Sequence, residues 1–170
     1  DGFKILDSNG VLQTTVSGYS ETTSIAICEA KNILAIATHS TIELFDISGT
    51  PEHIISYAIN DVRKITFDET NDALYVSSTN TLHKLEFSTN LIEHVDEYAI
   101  TTSPSKIVHD ATRSLLFVLT GHEIVIFDTS NEKLIEKKHS ILLFGHVQDF
   151  KFVNNDTLLI VLPHVDPKVT

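Results

Sequence analysis

The sequence has no methionine and only one cysteine, Cys28. A single cysteine excludes a disulfide framework within the chain, and its position in an apolar run indicates a buried thiol. This cysteine usage favours a reducing compartment, so we expect an intracellular protein of the cytoplasm or nucleus, with a secreted protein as the alternative. A chain that begins at Asp1 and lacks methionine is typical of a processed or excised segment.

Basic residues are also few. The chain has 12 Lys and Arg residues against 23 Asp and Glu residues, a formal net charge of −11, and no run of Lys and Arg is longer than a pair such as Lys137-Lys138. Nucleic-acid binding needs clustered basic side chains, so this class is excluded. An acidic surface suits solubility or a protein partner with a basic surface. No apolar run reaches the roughly 18 residues of a membrane-spanning helix, so no membrane span is expected.

Motifs for catalysis and metal binding are missing as well. The nine histidines form no HxH pair and no HExxH motif, so their spacing specifies no metal chelate. No Ser or Cys lies in a nucleophile motif, and six glycines form no phosphate-binding loop. We therefore expect no catalytic activity, no metal and no cofactor. The histidines are His39, His53, His83, His94, His109, His122, His139, His146 and His164.

What the chain does contain is a repeat, seen most clearly in the unit from Ser24 to Ser48. An apolar residue followed by an acid recurs, and the acids at positions 7, 46, 86 and 128 are 39, 40 and 42 residues apart. This is the period of four-stranded propeller blades. Short runs rich in Ile, Val, Leu, Phe and Thr alternate with polar turns, which predicts strands rather than helices. The predicted fold class is all-β, a β-propeller built of four-stranded antiparallel blades.

The turns divide the chain into three complete blades and two half blades within a single propeller segment, 1–170. The first half blade supplies the last two strands of a blade and the second supplies the first two, so joining them would close a four-bladed ring. Because four blades are the lower limit of the usual range, we favour part of a larger propeller, paired with another propeller half or a second copy. The predicted boundaries are 1–16 and 147–162 for the half blades and 24–59, 62–100 and 106–141 for the blades.

One stretch near the end resembles the start of a WD40 repeat. Gly145-His146, followed by 147–158, occupies the place of the Gly-His dipeptide of that repeat. Phe45-Asp46 and Phe127-Asp128 fall where the repeat has its Trp-Asp pair. We favour this resemblance because Gly145-His146 is in register with the other repeats and because Cys28 is unpaired.

A second resemblance competes with the first. The stretch 115–135 is similar to the YVTN-type propeller repeat of bacterial surface and lactonase-like proteins, and 74–77 shows the same similarity. This resemblance implies a propeller whose central channel binds a small molecule or a metal, and a lactonase-like hydrolase as the alternative function.

The WD40-like resemblance implies a non-enzymatic scaffold or adaptor for protein–protein interaction within a larger assembly. In such propellers the partner-binding face is formed by the turns between second and third strands and by the loops that enter each first strand. We call this the turn face. In this sequence it comprises His39, Asn60, Asp61, Arg63, Asn80, Ser103, Ser105, Lys106, His122 and His146.

The acids that end the repeated pairs are predicted to be structural. Their recurrence at one place in every blade favours carboxylates that accept backbone N–H bonds in the turn after the third strand, rather than a ring of catalytic groups. These structural turn carboxylates are Asp7, Asp46, Glu86 and Asp128.

Overall fold

A computed structural model describes residues 2–6, 9–19, 21–88, 91–131, 135–143, 147–154 and 157–162. The fold is all-β, as the repeat predicts, and these ranges contain sixteen strands. In the described ranges the only helical segment is one 3-10 turn, Glu29–Lys31. None of the helical structure seen there is long and apolar enough to cross a membrane.

Three four-stranded antiparallel sheets form the complete blades, and within each sheet every strand pairs with the next along the chain. Blade 1 consists of β3 (Ser24–Cys28), β4 (Ile33–Ala37), β5 (Thr41–Asp46) and β6 (Glu52–Ala58). Blade 2 consists of β7 (Lys64–Asp68), β8 (Ala73–Ser77), β9 (Thr81–Ser88) and β10 (Leu91–Ala99). Blade 3 consists of β11 (Lys106–Asp110), β12 (Leu115–Thr120), β13 (Glu123–Asp128) and β14 (Glu136–Leu142).

Two hairpins flank these blades. The first hairpin pairs β1 (Gly2–Leu6) with β2 (Leu12–Ser17), and the last hairpin pairs β15 (Asp149–Asn154) with β16 (Thr157–Val161). They are separate two-stranded sheets, so the four-bladed ring that would join them within one chain is not formed. The predicted architecture of three complete and two half blades, a partial propeller, is confirmed.

The core lies between the blades. The second strand of each blade is largely apolar and almost entirely buried, because a neighbouring blade or a flanking hairpin packs on each of its faces. Aromatic side chains join the units: the ring of Phe3 in the first hairpin lies 5.5 Å from that of Phe45 in blade 1. The rings of Phe117 in blade 3 and Phe152 in the last hairpin lie 4.6 Å apart. The first strands β3, β7 and β11 lie side by side.

The fourth strand of every blade contains a β-bulge. One extra residue interrupts its register with the third strand: Ile54 in blade 1, Val95 in blade 2 and Lys138 in blade 3. A bulge reverses the alternation of faces beyond it. Residues three apart that flank the bulge, such as His94 and Glu97, therefore lie on the same face of the sheet.

Candidate functional site

Backbone hydrogen bonds gather the turn face at one end of the blades. The carbonyl of His39, in the turn between β4 and β5, accepts a bond of 3.3 Å from the N–H of Val62, in the loop that leads to blade 2. The carbonyl of Asn80 accepts one of 2.8 Å from the N–H of Ile100 in the next such loop. Blade 3 repeats the arrangement at Gly121. Each turn is thus tied to the loop that leaves its own blade.

Most of the predicted turn-face residues are exposed to solvent. Asp61 also has a left-handed backbone, with φ of 59°. It lies in the loop that is hydrogen-bonded to His39 through Val62. His146 lies outside the described residues. The exposed members are His39, Asn60, Asp61, Arg63, Asn80, Ser103, Ser105 and His122.

Lys106 differs from the other turn-face residues because its ammonium is bonded to the last hairpin. Its ammonium donates to Asp149 Oδ1 at 2.5 Å and to the carbonyl of Phe150 at 2.7 Å. It also lies 5.2 Å from the centre of the Phe150 ring. Ser105 donates its N–H and its hydroxyl to the carbonyl of Leu119. Lys106 therefore fastens the last hairpin to blade 3 and offers little to a partner.

The turn carboxylates fall into two groups. Asp46 accepts the N–H of Ser48 at 2.7 Å, and Asp128 accepts the N–H and hydroxyl of Ser130 at 2.9 and 2.6 Å. Bonds from Ser130, with a further one from Lys138, lower the pKa of Asp128 to about 2. Glu86 differs from the prediction.

The position of Glu86 is inside a strand rather than in a turn. It lies between Ala73 on β8 and Glu93 on β10, since β9 continues to Ser88. In the sheet it therefore lies two residues before the end of β9, whereas Asp46 and Asp128 are the last residues of their strands. Asp7, the remaining member of the series, lies outside the described residues.

A buried polar network joins blades 2 and 3. Asp68 accepts backbone bonds from Thr70 and Asn71 and a side-chain bond of 2.9 Å from Asn71. Its Oδ2 lies 3.3 Å from Nε2 of His109, and that nitrogen lies 3.0 Å from the hydroxyl of Thr129. Burial lowers the pKa of His109, although Asp68 opposes the shift, so the imidazole is neutral near pH 7.

Lys84 extends this network and is also fully buried. Its ammonium donates to the carbonyl of Asn131 at 3.0 Å and lies 5.9 Å from the centre of the Tyr75 ring. Burial raises the pKa of Tyr75, which keeps its phenol protonated. Because Tyr75, Lys84 and Asp68 are closed off from solvent, the network stabilises the contact between the blades and is not accessible to a substrate. Buried charges of this kind are tolerated only with such partners.

Three side chains converge on the outer strands of blade 2, and we call them the blade 2 rim cluster: His83, His94 and Glu97. His83 Nδ1 lies 3.4 Å from His94 Nε2 and 3.6 Å from Glu97 Oε2, and the last two atoms are 3.7 Å apart. The side chains are 14%, 37% and 63% exposed, respectively. Burial and then the neighbouring His94 lower the pKa of His83, against the opposing charge of Glu97.

The equivalent positions of blade 1 hold Glu43, His53 and Ser56, the blade 1 rim cluster. Here Glu43 Oε2 accepts the Ser56 hydroxyl at 2.5 Å and lies 2.8 Å from His53 Nε2. The Ser56 hydroxyl and His53 Nε2 are 3.1 Å apart. This cluster is closed by direct hydrogen bonds.

The first strands border a cavity of about 440 Å³. Its lining includes the apolar side chains of Ile25, Ile65 and Ile107, together with Glu69. Among the described residues, the one group of three His, Cys, Asp or Glu side chains with metal-binding spacing lies instead at the blade 2 rim.

Sequence spacing did not reveal either rim cluster. His83 and His94 are eleven residues apart, and His94 and Glu97 are three apart, a spacing that places two strand residues on opposite faces. The bulge at Val95 reverses that alternation. Cross-strand pairing of Glu97 with His83 completes the group. The sequence pattern indicates neither this pairing nor the bulge.

No family model matches the sequence, and no curated protein matches it. Solved structures do match the fold. A candidate 6-phosphogluconolactonase from Bacteroides uniformis has a TM-score of 0.74 at 14% identity, over 95% of this chain and 57% of that one. Saccharomyces cerevisiae Sqt1 has a TM-score of 0.69 at 9% identity, over 80% of this chain and 39% of that one.

Kluyveromyces lactis Hsv2 is a further similar structure, with a TM-score of 0.62 at 16% identity over 85% of this chain and 42% of that one. The chain thus spans about half the length of the solved structures it matches. At these identities the likeness concerns the fold alone. Together with the four-stranded sheets, it shows that this chain folds as part of a β-propeller.

Proposed function

We propose that this chain is a non-enzymatic, WD40-like scaffold for protein–protein interaction inside the cell, and that a second copy completes its propeller. The observation that carries the proposal is the apolar surface at both ends of the blade array. At the first end Ile25 and Ile27 of β3 are 60% and 50% exposed. At the other end Leu159 and Val161 of β16 are exposed. Exposed apolar patches of this kind mark protein contacts.

The two ends are complementary in strand content. The first hairpin packs on blade 1 through Phe3 and leaves a cavity of about 260 Å³ lined by Phe3, Leu6, Ile25 and Ile27. This is the space that the first two strands of the same blade would fill. The last hairpin supplies two such strands for the blade beyond blade 3, so it fits the first end of another copy.

Strand edges support the same arrangement. In the described sheets β1 pairs only with β2, and β16 pairs only with β15, which leaves one edge of β1 and one of β16 open for pairing. Two copies would contribute three complete blades each and two composite blades. The resulting ring of eight is within the usual range of four to eight blades.

The turn face is the proposed site for other protein partners. His39, Asn60, Asp61 and Arg63 are exposed together where the β4–β5 turn meets the loop to blade 2. The net charge of −11 favours a partner with a basic surface. Lys106 is excluded from this surface because it bonds to Asp149 and Phe150.

A lactonase-like propeller is the second candidate. It is favoured by the structural likeness to the candidate 6-phosphogluconolactonase and by the cavity along the first strands. A scaffold should not hydrolyse a sugar lactone faster than buffer does, whereas turnover that is lost on replacing Glu69 in that cavity would favour the enzyme.

Replacing Ile25 and Ile27 with Asp tests the completion of the ring. Analytical ultracentrifugation should give the unaltered chain a mass of two 18.9 kDa copies and the double variant a mass of one, because charges at the first end prevent burial of that surface. The matched control is Leu91→Asp, since Leu91 is about half exposed but lies on the fourth strand of blade 2, away from both ends. Equal masses for the unaltered chain and the double variant would contradict the proposal.

A further inference from the structure

We propose that the blade 2 rim cluster, His83, His94 and Glu97, binds a zinc ion. The first argument is the donor set. Two imidazole nitrogens and one carboxylate oxygen are one of the ligand sets that zinc takes in sites with three protein ligands, where a fourth position is left open. Calcium and magnesium prefer oxygen ligands, and imidazole favours transition metals.

The second argument is the distance between donor atoms. Zinc lies about 2.0–2.1 Å from histidine nitrogen and about 2.0–2.2 Å from carboxylate oxygen, so neighbouring ligands of a tetrahedron are about 3.4 Å apart. The three distances in the cluster are 3.4, 3.6 and 3.7 Å. An ion therefore fits among these atoms after shifts of a few tenths of an ångström.

The third argument is that the donors are not occupied by strong bonds to one another. Both contacts to Glu97, at 3.6 and 3.7 Å, exceed the 2.7–3.2 Å of a good hydrogen bond. The contact between the two rings, at 3.4 Å, is also long. In blade 1 the side-chain atoms at the same three positions lie 2.5–3.1 Å apart. The backbone at these positions therefore permits shorter contacts than those seen in blade 2.

Accessibility and support complete the case. The two outer ligands, His94 and Glu97, are exposed enough to admit an ion from solvent, while His83 is mostly buried and anchors the site. All three project from paired strands rather than loops, and the bulge at Val95 fixes the face on which they meet. The fourth zinc position would face outward, where water or a side chain of a partner completes the tetrahedron.

Titration of the intact chain with zinc chloride in a calorimeter tests the site. We expect one zinc ion per chain, and we expect His94→Gln or Glu97→Gln to weaken binding by at least about 100-fold, since loss of even an outer-shell partner costs about 10- to 100-fold. Zinc should also raise the melting temperature of the unaltered chain but not of these variants, because a ligand of the folded state stabilises it.

The matched control is His53→Gln, which removes the equivalent histidine of blade 1 and should leave zinc affinity unchanged. Both rim histidines are similarly exposed, at 37% for His94 and 41% for His53, so folding effects are comparable. Failure of the unaltered chain to take up an ion, or unchanged affinity in His94→Gln, would overturn the proposal. Because the scaffold proposal rests on the ends of the array, it is unaffected by either outcome.

Discussion

The two rim clusters occupy the same backbone positions in neighbouring blades, but they differ in side-chain identity and in the hydrogen bonds that these side chains form. In each blade a third-strand residue faces a fourth-strand residue directly, and a histidine on the other side of the bulge joins them. Blade 1 places a buried carboxylate, Glu43, between Ser56 and His53 and forms direct hydrogen bonds. Blade 2 places His83 opposite Glu97 and leaves the donors apart.

Blade 3 completes the comparison. Its equivalent positions hold Val125, Lys137 and Ser140, a set with neither a carboxylate nor an imidazole. The same bulged backbone therefore carries three different side-chain sets: a hydrogen-bonded group in blade 1, imidazole and carboxylate groups without short bonds in blade 2, and an apolar and basic set in blade 3. The repeat conserves geometry for packing, while the side chains at the rim are free to acquire individual roles.

The largest effect is expected from converting one cluster into the other. Glu43→His together with Ser56→Glu gives blade 1, with His53 retained, the same donor set as blade 2. Because the backbone frame is shared, we expect zinc stoichiometry to rise from one to two ions per chain in calorimetry. Adding His53→Gln to these changes should return it to one. A folded double variant that still binds one ion would show that the two frames are not equivalent.

A smaller effect is expected from neutralising the carboxylate of each cluster. Glu43 is 8% exposed and accepts two bonds, so Glu43→Gln should lower the free energy of unfolding by about 1–2 kcal/mol. Glu97→Gln, at an exposed site without short bonds, should change it by less than about 0.5 kcal/mol in zinc-free buffer. Urea unfolding measures both, and equal losses would contradict the distinction between the clusters.

The same Glu43 pair predicts a pH dependence. Burial alone would raise the pKa of Glu43, but hydrogen bonds from Ser56, His53 and Thr41 outweigh it and hold the pKa below the ordinary value of 4.5. A lowered pKa contributes stability that is present above the ordinary value and is lost as pH falls through the folded-state value. The difference in free energy of unfolding between the unaltered chain and Glu43→Gln should therefore be constant above pH 4.5 and decrease towards zero below it.

Much of the fold was predictable because apolar runs and polar turns recur in the sequence with the period of a blade. The repeat unit from Ser24 to Ser48 contains three strands of blade 1, β3, β4 and β5. At β7 the prediction began at Val62, whereas the strand begins at Lys64. The reason is a tertiary bond: the N–H of Val62 is directed to His39 of blade 1 and not to its own sheet.

The site was far less predictable, because its chemistry depends on contacts between distant residues. Lys106 was assigned to the turn face, but it pairs with Asp149, 43 residues away on the last hairpin. Glu86 followed the repeat in sequence and departed from it in structure, since β9 continues past it. The sequence pattern locates turns and strands well, but it does not show which polar side chains meet.

The functional proposal depends on the unpaired edges of the first and last hairpins. Amide hydrogen exchange tests most directly whether a second copy pairs with them. If a second copy completes the ring, the amides on the free edges of β1 and β16 should exchange more slowly as protein concentration rises, while those of β6 in blade 1 should not change. Mass spectrometry resolves these segments separately. Exchange at β1 and β16 that is independent of concentration, in a chain that remains folded and monomeric, would contradict the account.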